Sequence, residues 1–241
     1  IRKGMVDAYP SPHASAIPSS WRAPDGAWTG FAARARVLIV NRNRVPADRT
    51  PRSIRSMIDP AWKGQSAIAD PLHGTTTMQV AAWFAAWGDD KARGFLDALK
   101  GNAVRVVASN EEVARLVVAG EVAFGLADTD DAYVAMQEAA HIAVVYPDQD
   151  AEGTLVMPTS AVVVRNAPHP DTARALMDHL VSREVEQHLA ENAAHIPLRA
   201  GIPVPPTLKP VTQIRAMSVD YGKLAQEMDR IRPWLKGWVG S

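Results

Sequence analysis

The sequence predicts an α/β class with a mostly parallel sheet, and three observations carry that prediction. Short uncharged apolar runs, Val37–Val40 and Val122–Leu126, read as buried strands. Segments with helical spacing of apolar residues alternate with these runs, the signature of a sheet covered by helices. Several strands also hand over to the next helix through a polar cluster, as at Asp128–Asp131.

Taken in order, residues 1–30 are rich in Pro, Ser, Gly and Trp and read as loops, with turns at Tyr9-Pro10-Ser11-Pro12 and Pro24-Asp25-Gly26. Arg36–Asn41 is the first strand. A loop over Pro46–Arg52 leads to a short helix at Ser53–Ile58 and a turn at Asp59-Pro60. Gln65–Ala69 is a strand, and Asp70 to Thr77 leads into a helix over Met78–Trp87, followed by another over Asp89–Leu99. Val104–Val107 is a strand. Ser109-Asn110 opens a helix that Gly120 closes as a C-terminal cap. The strand from Glu121 to Leu126 leads to a helix over Ala132–Ala140. His141–Tyr146 and Thr159–Val164 are strands. Asp171–Leu180 and Arg183–Glu191 are helices, four prolines mark a linker over 201–210, and a last helix spans Val219–Ile231. Trp83, Phe84 and Trp87 stand at helical spacing and belong in a core.

Composition narrows the function classes. The chain has 241 residues, 47% of them hydrophobic, and a formal net charge of zero. A nucleic-acid partner wants a basic surface, so none is expected. No apolar run approaches the roughly 18 residues of a membrane-spanning helix. Cysteine is absent, which removes disulfides, thiolate metal ligands and cysteine nucleophiles and fits an exported protein. The seven histidines form no close metal-binding pair. No nucleophile elbow, P-loop or dinucleotide fingerprint is present, and no catalytic set is visible.

Three polar stations remain, each at a strand end before a helix, where open α/β sheets bind ligands. The first is Gly74 with Thr75, Thr76 and Thr77. Backbone N–H groups and hydroxyls at a helix start make an anion site, and the alternative is a helix cap without a ligand. The second is Ser109-Asn110, with the same two readings. The third is Asp128, Thr129, Asp130 and Asp131, of which one suffices to cap the next helix. Arg34 or Arg36 supplies a fixed cation for an anionic ligand, and Arg34 is the one placed in the site. Trp28, between Gly26 and Gly30, is assigned to a surface or cleft position.

Four stretches in this order give a resemblance. They are Tyr9-Pro10-Ser11-Pro12; Asp25-Gly26-Ala27-Trp28 through Arg34-Ala35-Arg36 to Asn41; Asn110 through Asp128-Thr129-Asp130-Asp131-Ala132; and Gly153 through Pro158 to Val164 with Ala167-Pro168-His169-Pro170. The chain resembles the periplasmic substrate-binding proteins of ABC transporters, in their ferric-iron-binding branch. The resemblance implies two α/β lobes joined by crossing strands, with ligand held in the cleft between them. On that pattern residues 1–33 and 165–200 form the first lobe and 41–156 a complete second lobe. Segments 34–40 and 157–164 are the crossings, and 201–241 is a C-terminal linker and helix. The family's opening strand, helix and strand have no counterpart here, so the first lobe is expected to be incomplete, the chain truncated, and apolar surface exposed for self-association.

The resemblance also implies a function. The chain is expected to be a non-enzymatic, periplasmic or lipid-anchored solute-binding component of an ABC importer, delivering a ferric complex or a small phosphorylated anion to a permease. Thr75, Thr76, Thr77, Asn110 and Arg34 match the family's anion-binding positions. Where ferric-binding members carry two adjacent tyrosines, this chain has Asp130 and Asp131, with Tyr133 nearby, so Fe³⁺ through a tyrosine pair is not expected. The two acids are hard oxygen ligands suited to Mg²⁺, Ca²⁺ or Mn²⁺, or, as the favoured alternative, they accept hydrogen bonds from ligand hydroxyls or amines with phosphate held at the Thr75 helix start. The cargo the resemblance implies is Fe³⁺ or another metal ion with a synergistic anion. No cofactor beyond such a cargo is implied. The competing classes are a metal-assisted hydrolase using Asp130 and Asp131, and a sensory module.

Overall fold

A computed structural model of the chain describes residues 4–240, so residues 1–3 of the expected first lobe and Ser241 lie outside the described residues. The backbone divides into two compact units. One comprises the chain up to Arg34 together with Val156–Gln213, and the other comprises Ala35–Leu155 with the chain from Ile214 onward. The division after Arg34 falls within the segment 34–40 expected as one crossing, and the division after Leu155 falls just before the segment 157–164 expected as the other. Residues 201–241 were expected as one C-terminal piece, and the division at Gln213 splits them between the units.

In the order of the chain the strands and helices are β1 (Val6–Asp7), β2 (Thr29–Asn41), β3 (Ser66–Ala69), α1 (Gly74–Trp87), α2 (Asp89–Gly101), β4 (Arg105–Val107), α3 (Asn110–Val118) and β5 (Phe124–Asp128). They continue with α4 (Thr129–Glu138), β6 (Ile142–Val145), β7 (Val156–Ala161), β8 (Val163–Val164), α5 (Pro170–Leu180), α6 (Arg183–Ala193) and α7 (Tyr221–Val239).

In the larger unit the strand order is β4-β3-β5-β2-β6. β3 is parallel to β4 and β5, whereas β2 is antiparallel to β5 and β6. The expected mostly parallel sheet is therefore corrected to a mixed one, with β2 reversed relative to the other four strands of this order. The cause lies in the connections. A parallel placement needs a long crossover, usually a helix. Helices do follow β3, β4 and β5, whereas the stretch between β2 and β3 holds only three 3-10 turns. Val37, Leu38, Ile39, Ile68, Phe124 and Leu126 are buried to 1% exposure or less and form the centre of this sheet. Gly125 lets α3 lie close against it: a Cβ there would stand 2.4 Å from Val113 Cγ1 and 3.0 Å from the Ala67 carbonyl oxygen.

Helix boundaries differ from expectation: α4 starts at Thr129 rather than Ala132, and two differences are larger. α1 starts at Gly74 and includes all three threonines, although β-branched residues favour helix weakly. α7 runs through Pro233 to Val239, where a proline normally ends a helix. Packing overrides propensity there: Trp234 meets Phe84 of α1 edge-on at 5.5 Å, and Leu235 is fully buried.

The smaller unit holds the antiparallel ribbon of β1 and β8, in register Val6↔Val164, with α5 and α6. Its Glu186, 1% exposed, accepts hydrogen bonds from the backbone N–H groups of Leu198 and Arg199 and pairs with the Arg199 guanidinium. Met5, Val162, Val164 and Leu176 of this unit are exposed large apolar side chains.

Candidate functional site

The polar centre of the larger unit is built around Arg36. In β2 it is the direct antiparallel partner of Asp128, the last residue of β5. Its side chain is buried, and Nη1 donates to Asp128 Oδ1 at 2.7 Å. The same nitrogen reaches Thr75 Oγ1 at 3.0 Å and Asn110 Oδ1 at 3.1 Å. Nη2 donates to Thr76 Oγ1 at 3.3 Å. Asn110 Nδ2 in turn donates to Thr75 Oγ1 at 3.0 Å.

Three helices begin at this guanidinium. β3, β4 and β5 run the same way and side by side, so the helices that follow them start at one end of the sheet. α1 brings Thr75 and Thr76, α3 brings Asn110, and α4 follows directly from Asp128. Their N-termini carry orphan N–H donors and the positive ends of three helix dipoles. The caps differ. Ser109 Oγ accepts from Glu112 N at 3.1 Å at the start of α3. Asp128 and Asp131 form a reciprocal capping box on α4, with Asp131 Oδ2 accepting from Asp128 N at 3.3 Å. α1 has no side-chain cap: its N-cap residue is His73, and Gly74 follows at a φ of 57°, in the left-handed region.

The structure thus brings Thr75, Thr76, Asn110 and Asp128 together. The space the sequence assigned to an open cleft is filled, at this depth, by the Arg36 guanidinium. Thr77 is buried one position further along α1, and its hydroxyl has no hydrogen-bond partner among the described residues. Thr129 is buried, and its Oγ1 accepts from the Ala35 backbone N–H at 3.3 Å; it tethers β2. Trp28 and Arg34, both half-buried, fall in the smaller unit. Arg36 rather than Arg34 is the cation of this centre. The signal for it was two charged residues, Arg36 and Asp128, each adjoining a buried apolar run. It becomes informative only once β2 and β5 are known to pair antiparallel.

Asp130 and Asp131 are half-buried at the start of α4. Burial, then the neighbouring charges of Asp130 and Asp128, push the Asp131 carboxyl up to about 7, against smaller opposing effects of the Asp128 N–H and Arg36. One carboxylate oxygen each of Asp128, Asp130 and Asp131 lies within 4.8 Å of the others, close enough to hold a cation. That donor set has competing duties. Asp128 Oδ1 is bound to Arg36, Asp131 Oδ2 caps α4, and Asp131 holds a proton up to about neutral pH.

Comparison with known proteins gives a consistent family. Residues 1–223 match the family described as bacterial extracellular solute-binding protein. Iron uptake protein A2 of Synechocystis is 27% identical over 222 residues, 87% of this chain, and the chain spans 64% of that relative's length. The fold matches iron-bound HitA from Pseudomonas aeruginosa with a TM-score of 0.85 at 23% identity, covering 97% of this chain and 77% of that one. It also matches AfuA from Actinobacillus pleuropneumoniae, solved with fructose-6-phosphate bound, with a TM-score of 0.81 at 22% identity, covering 99% and 77%.

Proposed function

We infer that this chain, which belongs to the family of bacterial extracellular solute-binding proteins, captures a small solute through an anionic group and delivers it to an ABC permease from outside the cytoplasm. The observation that carries this reading is the convergence of three helix N-termini on one buried guanidinium, with α1 left uncapped. Orphan N–H donors and helix dipoles favour an anion at such a place. Thr75 and Asn110 present the half-buried rim of that centre. Asp130 and Asp131 beside it suit a hydroxyl, an amine or a metal ion on the same solute.

The AfuA structure with fructose-6-phosphate supports a phosphorylated solute. A second reading is a ferric complex, favoured by the carboxylate trio and by the iron named in the relatives. In that reading the anion of the complex occupies the helix starts, because among the described residues the hydrogen-bond partners of Arg36 include no tyrosine. Family membership favours binding over metal-assisted hydrolysis by Asp130 and Asp131.

The test is calorimetric titration of the protein with inorganic phosphate, fructose 6-phosphate, ferric citrate and ferric chloride, for wild type and Thr75→Val. The reading expects phosphate-bearing solutes or ferric citrate to bind, and to bind more weakly to the variant. Binding of iron from ferric chloride alone, unaffected by Thr75→Val, would overturn it.

A further inference from the structure

α1 meets the Pro147–Leu155 segment along a polar seam that the solute-binding reading does not use. Trp83 and Trp87 stand one turn apart on α1, with their rings stacked at 5.7 Å. Trp87 Nε1 donates to Glu152 Oε1 at 3.1 Å. Arg55 Nη2 donates to the same oxygen at 3.1 Å, and its guanidinium lies 4.6 Å from the Trp87 ring. Asp148, 8% exposed, accepts from the Ile54 backbone N–H at 3.4 Å through Oδ2. Its backbone carbonyl accepts from the N–H groups of Ala151 and Gly153, each at 2.9 Å, which closes the turn. Trp83 is different. It is 1% exposed, and its indole N–H has no acceptor among the described residues. Buried donors are nearly always satisfied.

Trp83 forms part of the wall of one small cavity. Gln79 and Trp87 of α1 line it beside Trp83, and Asp148, Glu152 and Thr154 line it from the turn. Its volume is about 10 Å³, and a single buried water takes roughly 10–15 Å³ on the same measure. Chemistry selects among species of that size. An indole N–H can only donate, so the occupant must accept, which ammonium and metal ions cannot do. Ionised carboxylates can only accept, so the occupant must also donate, which a halide cannot do. Water does both, and this wall offers the two to four polar partners that a buried water needs. We propose that one buried water occupies this cavity, accepting from Trp83 Nε1 and donating to Asp148, and so ties α1 to the Pro147–Leu155 turn. The direct contacts of the seam, from Trp87 and Arg55 to Glu152, lie at its exposed margin. The water is its buried tie.

The test is NMR on the full chain, isotope-labelled at tryptophan, with the Trp83 indole signal assigned by its loss in Trp83→Phe. In wild type the Trp83 N–H is expected to show a cross-relaxation peak at the water frequency, with the sign of a long-lived bound molecule. A peak at the ammonium frequency in ammonium buffer, or no peak to any solvent species, overturns the proposal. The tie itself is read by amide exchange. Trp83→Phe removes the donor and keeps a ring against Phe95, which meets Trp83 edge-on at 4.9 Å. The amides of Ala151 and Gly153 are expected to exchange about fivefold faster in this variant, relative to those of α3, the size of one lost hydrogen bond. Equal acceleration in the turn and in α3, or none in the turn, overturns the tie. Should Trp83→Phe fail to fold, a crystal structure of wild type decides. A solvent peak within about 3.2 Å of both Trp83 Nε1 and an Asp148 carboxylate oxygen supports the proposal. A protein acceptor on Trp83 Nε1, or no solvent peak beside it, overturns it.

Discussion

Arg36 and Asp128 face each other as direct antiparallel partners on β2 and β5, 2.7 Å apart from nitrogen to oxygen, with both side chains 1% exposed. Removing one partner of such a buried pair leaves an uncompensated charge, which typically costs about 3–5 kcal/mol. We therefore expect Arg36→Met or Asp128→Ala to destabilise the chain by about that amount in urea unfolding. Arg36→Met combined with Asp128→Leu should recover much of the loss, since no charge is then left buried. Equal destabilisation by the single and double variants would show that the surrounding hydroxyls, not the charge pair, hold this centre.

Asp131 gives a pH dependence of known sign. Its carboxyl is pushed from the ordinary 3.8 up to about 7 in the fold, chiefly by burial and then by Asp130 and Asp128. Between those values the folded chain holds a proton that the unfolded chain has lost. The raised group therefore contributes stability that is complete below about pH 4 and is lost as pH rises through about 7. Asp131→Asn keeps an acceptor for the Asp128 N–H but cannot ionise. We expect it to match wild type near pH 4 and to be the more stable protein at pH 8. A difference between the two that does not change with pH would contradict the assignment.

The sequence shows local features of this molecule and hides the pairings. Thr75, Thr76, Asn110 and Asp128 were legible because each follows an apolar strand and precedes a helical pattern, and such positions meet at one end of a parallel sheet. Arg36 could not be chosen over Arg34 because the two share a strand face two residues apart. Only the register with Asp128 separates them, and register is a long-range property. The reversed direction of β2 was hidden for the same reason. Thr75–Thr77 read as a lead-in rather than as helix because threonine is a weak helix former. The hydroxyls of Thr75 and Thr76 are held by a guanidinium that lies far away in sequence. The role of Asp131 was masked by its position beside two other acids, any of which could have been the cap.

Gly125 is expected to be intolerant of a methyl group. A Cβ at this position would stand 2.4 Å from Val113 Cγ1, with the Ala67 carbonyl at 3.0 Å behind it. α3 would have to lift off the sheet or Val113 leave its rotamer, and such overpacking costs about 1–3 kcal/mol. Because α3 carries Asn110, we expect Gly125→Ala to weaken phosphate binding as well as to lower the melting temperature. Gly125→Ala with Val113→Ala should restore both. Loss of stability with unaltered phosphate affinity would mean that α3 adjusts without moving its first turn.

Pro233 offers the opposite kind of change. It lies inside α7, where a proline removes one backbone hydrogen bond and crowds the preceding turn, at about 3 kcal/mol relative to alanine. The helix persists because its far half is held by side chains. Trp234 packs on Phe84 at 5.5 Å with Arg93 stacked 5.1 Å from its ring, Leu235 is fully buried, and Lys100 sits 4.5 Å from the Trp238 ring. Pro233→Ala restores the missing donor and keeps all of these contacts. We expect it to raise the melting temperature and to slow amide exchange in the last turns of α7, while phosphate binding stays as in wild type. Trp234→Ala should do the reverse and fray the helix beyond the proline. Its cost should stay below that of a fully buried aromatic, about 3–5 kcal/mol, because Trp234 is half-buried. A Pro233→Ala variant less stable than wild type would show that the backbone geometry set by the proline is needed for the fit of Trp234 against α1.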